Sequence, residues 1–268
     1  MNERIIEFFE KEGIECFAVL SYSDCRETSA QIIRREAFTP RSVILFLLPY
    51  YTGKTENLSC YAASLDYHII IKDITARLSA LISEIYDGAS CKGYGDHSPI
   101  DECHAALIGG LGVIGDNGLL INKKYGSYVF IGDVVTDVDP MLIGAETPKS
   151  IKQCEHCGRC RAACPTGILG GQGSDCLSAI TQRKGELSDF EISLMKEHNT
   201  VWGCDECQSC CPHNFSPHIT PIEFFHRERI PLLTSEVLAG MTKAEFNLRA
   251  FAWRGRKTVE RNLEKLGF

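Results

Sequence analysis

Apolar residues open the chain at helical spacing: Ile5, Ile6 and Phe9 share one face of a predicted helix, with Gly13 placed as its C-terminal cap. Ile14–Leu20 then predicts a strand. The unbroken run Val43-Ile44-Leu45-Phe46-Leu47-Leu48, ended by Pro49, predicts a strand buried on both faces. Ile70, Ile71, Ile74, Leu78, Leu81, Ile82 and Ile85 recur with helical period, and Gly88 closes that helix. Glu102–Ile108 predicts a short helix running into the glycine-rich Gly109–Gly115. Leu119–Ile121 and Tyr128–Val135 predict strands joined by a turn at Lys123–Gly126.

Strands and helices mingle to about residue 140, which implies an α/β or α+β domain whose sheet is covered by helices. Met141–Ile151 is loop-like. Three capping-box patterns follow, each a side-chain cap for a helix start: Ser188-Asp189-Phe190-Glu191, Thr220-Pro221-Ile222-Glu223 and Thr242-Lys243-Ala244-Glu245. A basic helix is expected over Arg249–Lys265. The chain divides on these grounds into an α/β domain over 1–145, a cysteine-rich module over 146–220 and a helical segment over 221–268.

The composition, 44% hydrophobic and 24% charged over 268 residues, is that of an ordinary globular chain. A formal net charge of −7 argues against non-specific binding to nucleic acid or acidic membranes. No run approaches the roughly 18 apolar residues of a membrane span, and the N-terminus carries no basic segment before an apolar one, so no signal peptide is expected. Fourteen cysteines, clustered with metal-ligand spacing, point away from disulfides and toward a reducing cytoplasm.

The chemistry is concentrated in two cysteine cassettes. Cys154, Cys157, Cys160 and Cys164 follow the spacing C-x2-C-x2-C-x3-C-P, by which two-cluster ferredoxins hold iron–sulfur cubanes. Cys176 and the run Cys204-Asp205-Glu206-Cys207-Gln208-Ser209-Cys210-Cys211-Pro212 supply the second set. Structural zinc wants four ligands, usually as two pairs; here the first cassette has four cysteines alone and both end in Cys-Pro. The expected assignment is Cys154, Cys157 and Cys160 on one [4Fe–4S] cluster with Cys211 crossing over. Cys176, Cys204 and Cys207 take the other, with Cys164 crossing back. Cys210 is the alternative to Cys211, which is favoured because it precedes the proline. Cys16, Cys25, Cys60, Cys91 and Cys103 lie outside the cassettes and read as small buried residues or inert thiols.

The run Asp96-His97-Ser98-Pro99-Ile100-Asp101-Glu102, with Gly110–Asn117, Leu119–Asn122 and Tyr125-Gly126-Ser127, resembles epoxyqueuosine reductase. So do the cysteine cassettes with Pro165-Thr166-Gly167 and Cys211-Pro212-His213-Asn214, and upstream Tyr61-Ala62 and Asp66-Tyr67-His68. The resemblance extends over nearly the whole chain. It implies an α+β architecture: a nitroreductase-like cobalamin-binding domain followed by a ferredoxin-like double-cluster module with C-terminal helices. It implies that electrons pass through two [4Fe–4S] clusters to cobalamin; the donor expected for them is a low-potential flavodoxin or ferredoxin. The reduced cobalt then removes the epoxide oxygen of a modified tRNA nucleoside.

By motif position the resemblance makes Asp96 the proton donor, which suits the chemistry, because an oxygen leaving group needs a positioned acid. It also implies cobalamin contacts at Cys60, Leu120 and Asn122 on one wall and Ser174, Asp205 and Glu206 on the other. Family members continue into helical repeats that help grip tRNA, and this chain reads as a short version lacking them. Cys103 also stands where an arginine is common in the family. The substrate is therefore either epoxyqueuosine in tRNA or a smaller electrophile such as an epoxide or organohalide. The alternative function is a ferredoxin-like electron carrier without cobalamin.

Overall fold

The first predicted helical face forms α1 (Glu3–Lys11), capped by the Asn2 side chain, with Ile5 and Phe9 buried beneath it. Gly13, at φ 70°, reverses the chain just after α1, and the N–H of Ile14 returns to Phe9 O. Ile14 is thereby spent on closing the helix, so β1 (Phe17–Ser21) starts later than the Ile14–Leu20 pattern implied. A single turn, α2 (Ala30–Ile33), precedes β2 (Ser42–Pro49), whose every residue is buried as its unbroken apolar run required. The long helix α3 (Tyr67–Ile85), the strand β3 (Cys91–Tyr94) and the short α4 (Glu102–Ile108) follow. The hairpin of β4 (Val113–Ile114) and β5 (Leu120–Ile121) leads into β6 (Val129–Thr136) and α5 (Pro140–Ile143). The structure, a computed structural model, describes residues 2–150, 153–173 and 175–268.

The main sheet has the order β1-β2-β6-β3, and every pairing in it is antiparallel. In an antiparallel sheet alternate residues face opposite sides. Ala18, Leu20, Val43, Leu45 and Leu47 accordingly share a core with Ala105, Ala106 and Ile108 of α4. On the other face Phe9 of α1 stacks on Phe17 at 4.5 Å and tilts against Phe46. The α+β architecture expected from the sequence is the one observed.

The chain forms two compact units, one of residues 1–49 and 68–155, the other of residues 50–67 and 156–268. The second unit is built from short helices: α6 (Arg159–Ala162), α7 (Leu177–Gln182), α8 (Asp189–Glu197), α9 (Glu206–Ser209), α10 (Ser235–Gly240), α11 (Lys243–Asn247) and α12 (Arg256–Leu266). Its core joins Leu58, Trp202, Phe246, Phe251, Val259 and Leu263. Residues 57–59 enter this unit as extended chain beside 201–202, with Val201 N–H on Asn57 O and Ser59 N–H on Trp202 O. The fully buried Asn262 ties α12 to α7 and to that segment, donating to Thr181 O and Val201 O.

Two of the three capping boxes form, at Ser188/Glu191 and Thr242/Glu245. The Thr220 pattern does not. The hydroxyl of Thr220 accepts the Ile222 N–H and its carbonyl accepts from His226, so only a 3-10 turn forms, at Glu223–His226. The basic helix expected over Arg249–Lys265 is also corrected: α12 begins at Arg256, and Arg249 is buried, its guanidinium bonded to Glu228 O. No helix of the described residues is long and apolar enough to cross a membrane.

Candidate functional site

In the second unit, α6 and α9 pack together, which brings the helix bearing Cys160 against the helix bearing Cys207. The Cys204 thiol has Cys176 and Cys207 as neighbours; burial first, then those thiols, push it up to about 12. Cys210 has Cys160 and Cys211 beside it. Cys154 is the next-to-last residue of the stretch that belongs to the first unit, while Cys157, Cys160 and Cys164 lie in the second.

Local backbone sets these positions. Gly203 has φ 79°, and a Cβ there would run into Ser59, so only glycine lets the chain turn tightly into Cys204. After Cys164 the turn through Pro165–Gly167 aims backbone N–H groups at the sulfur. Burial works against ionisation of Cys164, but the N–H groups of Leu169, Thr166 and Ile168 and the Thr166 hydroxyl outweigh it. The thiol sits below its ordinary value as a result.

These residues fit iron–sulfur clusters. Crowded thiols that repel one another as thiolates are stabilised by cationic iron, and N–H groups aimed at a ligating sulfur tune cluster potential.

Cys60 and Asp205 are brought together in the same unit. The Cys60 N–H donates to Asp205 Oδ2 at 2.6 Å, and the Ser59 hydroxyl donates to Oδ1. Burial pushes the Cys60 thiol up to about 12, with Asp205 adding to it; as a thiol it is inert at neutral pH. Glu206 lies 3.0 Å from His198 Nδ1. Asp205, Glu206 and Ser59 line a polar cavity of about 170 Å³ with Thr55 and Asn57.

In the first unit, Asp96 follows β3 on a turn with φ 64°, a left-handed conformation uncommon for a residue with a Cβ. Its side chain is 56% exposed, and Oδ2 lies 3.5 Å from His68 Nε2. Its N–H donates to Glu102 Oε1 at 3.1 Å. Leu120 and Asn122 are both buried. The Asn122 amide is committed to its own turn, donating to Leu111 O and accepting the N–H groups of Lys124 and Tyr125. Ser174 lies outside the described residues.

The family described as the 4Fe-4S double cluster binding domain matches residues 153–214, the stretch that holds both cassettes. The epoxyqueuosine reductase of Listeria monocytogenes is 33% identical over 285 residues, covering 98% of this chain and 72% of that protein. The chain belongs to the epoxyqueuosine reductase family. It is an oxidoreductase, and the cofactor set of the family is two [4Fe–4S] clusters and cobalamin. In fold it is similar to a solved epoxyqueuosine reductase holding an epoxyqueuosine-modified tRNA-Tyr stem loop, with a TM-score of 0.78 at 22% identity over 98% of this chain and 80% of that one. A catabolic reductive dehalogenase shares the fold more distantly, with a TM-score of 0.52 at 16% identity over 98% of this chain and 37% of that one.

Groups in each unit suit a corrin, whose rim of amides needs hydrogen-bond partners. Asp96 is exposed on a formed turn, and Asp205, Glu206 and Ser59 gather polar atoms around an open cavity. Two buried or half-buried acids of the first unit, Glu102 and Asp133, were not singled out by the sequence reading. The available signal was a lone acid inside the apolar run Val129–Val135.

Proposed function

We propose that the protein reduces the epoxide of epoxyqueuosine in tRNA, with Asp96 as its acid. The single observation that carries the reading is the state of Asp96 in a chain of this family: a carboxyl exposed on a left-handed turn whose N–H is tied to Glu102. When bound, cobalamin supplies a two-electron reductant and the clusters supply its electrons one at a time.

Removing an epoxide oxygen as water consumes two electrons and two protons, and the departing oxygen needs a proton as its bond breaks. Asp96 is placed to give that proton, and His68 Nε2 lies 3.5 Å from its carboxyl. Cys154, Cys157, Cys160 and Cys211 would hold one cluster; Cys176, Cys204, Cys207 and Cys164 would hold the other. Cys60, Asp205 and Glu206 would contact cobalamin from the second unit. Leu120 and Asn122, both buried, would do so from the first unit. Cys157 and Cys176 are exposed, which supports delivery of electrons by an external low-potential flavodoxin or ferredoxin.

Support for a tRNA substrate comes from a cleft of about 520 Å³ at the start of α12, lined by Lys184, Lys257, Arg254 and Glu186, with Arg256 and Arg261 beside them bonded to backbone carbonyls. No side chain caps that helix start; the Thr258 N–H is bonded to Gly255 O, and the N–H groups of Arg256 and Lys257 are the ones offered to phosphate. A carrier without cobalamin has no use for an acid at Asp96.

Anaerobic incubation of the cofactor-loaded protein with epoxyqueuosine-containing tRNA and a chemical reductant, read by nucleoside mass spectrometry, tests the proposal. Conversion to queuosine is expected. An unchanged tRNA from fully loaded protein would reject it in favour of a smaller electrophile.

A further inference from the structure

Asp133 occupies β6 between β2 and β3, opposite Leu45 and Tyr94, and none of it reaches solvent. Its Oδ1 accepts the Ser98 hydroxyl at 3.2 Å, but its Oδ2 meets no donor. The group it faces is the carboxyl of Glu102, the first residue of α4. Asp133 is fully buried and Glu102 half-buried, and two carboxylates that meet there are ionised together only at high cost, because each adds its charge to the desolvation cost of the other. One proton between them supplies the donor that Asp133 Oδ2 otherwise lacks.

Among the described residues, the nearby hydroxyls are spent elsewhere. Tyr22 of the turn after β1 gives its hydroxyl to Glu27, and Tyr94 of β3 gives its hydroxyl to Glu36. Cys25 is buried nearby, and Cys103 lies beside Glu102 on α4. Asp101 pairs with Arg26 at 3.5 Å, and Lys92 with Glu36 at 3.7 Å. Asp96, on the turn, adds a further negative charge and has His68 on its outer side. Burial and then the Asp133 charge hold Glu102 well above the ordinary carboxylate range, and burial does the same to Asp133.

Glu102 therefore works in two directions. It meets Asp133 in the interior and accepts the Asp96 N–H at 3.1 Å. We propose that Glu102 and Asp133 are a one-proton positioning pair, whose shared proton keeps Glu102 under the turn so that it holds Asp96 in its left-handed conformation. This rests on the reading of Asp96 as the acid. Loss of the proton with rising pH places adjacent negative charges beneath Asp96 and releases the turn.

The test uses the cofactor-loaded protein and two readouts that need no turnover. Infrared difference spectra are expected to show a protonated carboxyl band at neutral pH that disappears on alkalinisation and is absent from both Glu102→Gln and Asp133→Asn. Hydrogen exchange at the Asp96 amide is expected to be about tenfold faster in Glu102→Leu, the equivalent of one lost hydrogen bond. Glu102→Gln, which keeps an acceptor oxygen, should restore slow exchange and abolish its acceleration at alkaline pH. A wild-type protein with no protonated band, a band that survives in both isosteric variants, or pH-independent exchange at Asp96 would each overturn the pair. Should Asp96→Asn keep full turnover, the acid reading fails, while the band and the exchange still decide the pair.

Discussion

The backbone N–H of Cys60 donates to Asp205 Oδ2 at 2.6 Å, joining the segment 50–67 to the loop between Cys204 and Cys207. Ser59 and Gln208 bond the other oxygen of the same carboxylate. One side chain thus anchors a cysteine loop to a distant part of the chain. Asp205→Ala leaves the Cys60 N–H and Ser59 hydroxyl without their acceptor, a cost of about 2 kcal/mol. We expect a matching drop in denaturant stability and fewer iron atoms retained through gel filtration under anaerobic conditions. Unaltered iron content would show that the anchor does not serve the cluster.

The choice between Cys210 and Cys211 is open to a direct measurement. Cys210 lies beside Cys160 and Cys211, and Cys211 precedes Pro212. Cys211→Ser is expected to lower iron from about eight to about four per chain, whereas Cys210→Ser retains both clusters by iron analysis and electron paramagnetic resonance. The reverse result would move the ligand to Cys210.

Asp96→Asn keeps the size of the side chain and removes its proton. Both cofactor absorbance spectra should be preserved, and single-turnover rates should fall by about 10² or more, the usual contribution of a positioned acid. A variant that turns over at the wild-type rate would remove Asp96 from the reaction.

The pH dependence of stability follows from Glu102 and Asp133. Their folded values are raised above the ordinary carboxylate value of ~4. Over the interval between, the folded chain holds more protons than the unfolded chain, so stability falls as pH rises. The contribution is complete below the ordinary carboxylate value and is lost through the neutral and alkaline range. Urea titrations at about pH 5 and about pH 9 should show the wild type losing more stability than Glu102→Gln over the same span. Parallel behaviour of the two proteins would contradict the shift.

The cleft at α12 predicts a salt-dependent interaction. Replacing Lys184 and Lys257, both lining residues, with glutamate should weaken tRNA binding and reduce its dependence on log salt concentration by about 2, one for each phosphate left without its lysine. Gel-shift titrations across salt concentrations measure both quantities. An unchanged slope would take the cleft out of the tRNA interface.

Much of the site was legible because its chemistry is local. Cysteines at x2 and x3 spacing come together within a turn or two of chain, and a Cys-Pro ending marks where that turn leaves. The Ser188 and Thr242 boxes formed for the same reason, since a cap needs only its own first turn. Thr220 carried the same letters, but Ile222 and His226 took its hydroxyl and carbonyl, and no helix followed. Arg249 looked like part of a charged helix face until Glu228, brought over it by the fold, bonded its guanidinium out of solvent.

The sequence by itself determined the two cysteine cassettes and the buried strand Ser42–Pro49, because each is written in spacing or in an unbroken apolar run, and its resemblance to the family pointed to Asp96 as the proposed acid. Tertiary structure alone decided that Asp133 meets Glu102, that Glu102 holds the Asp96 turn, and that Asp205 anchors Cys60. Those relationships join residues far apart along the chain. Their energies depend on how much water the packed elements exclude, which no local pattern of residues records.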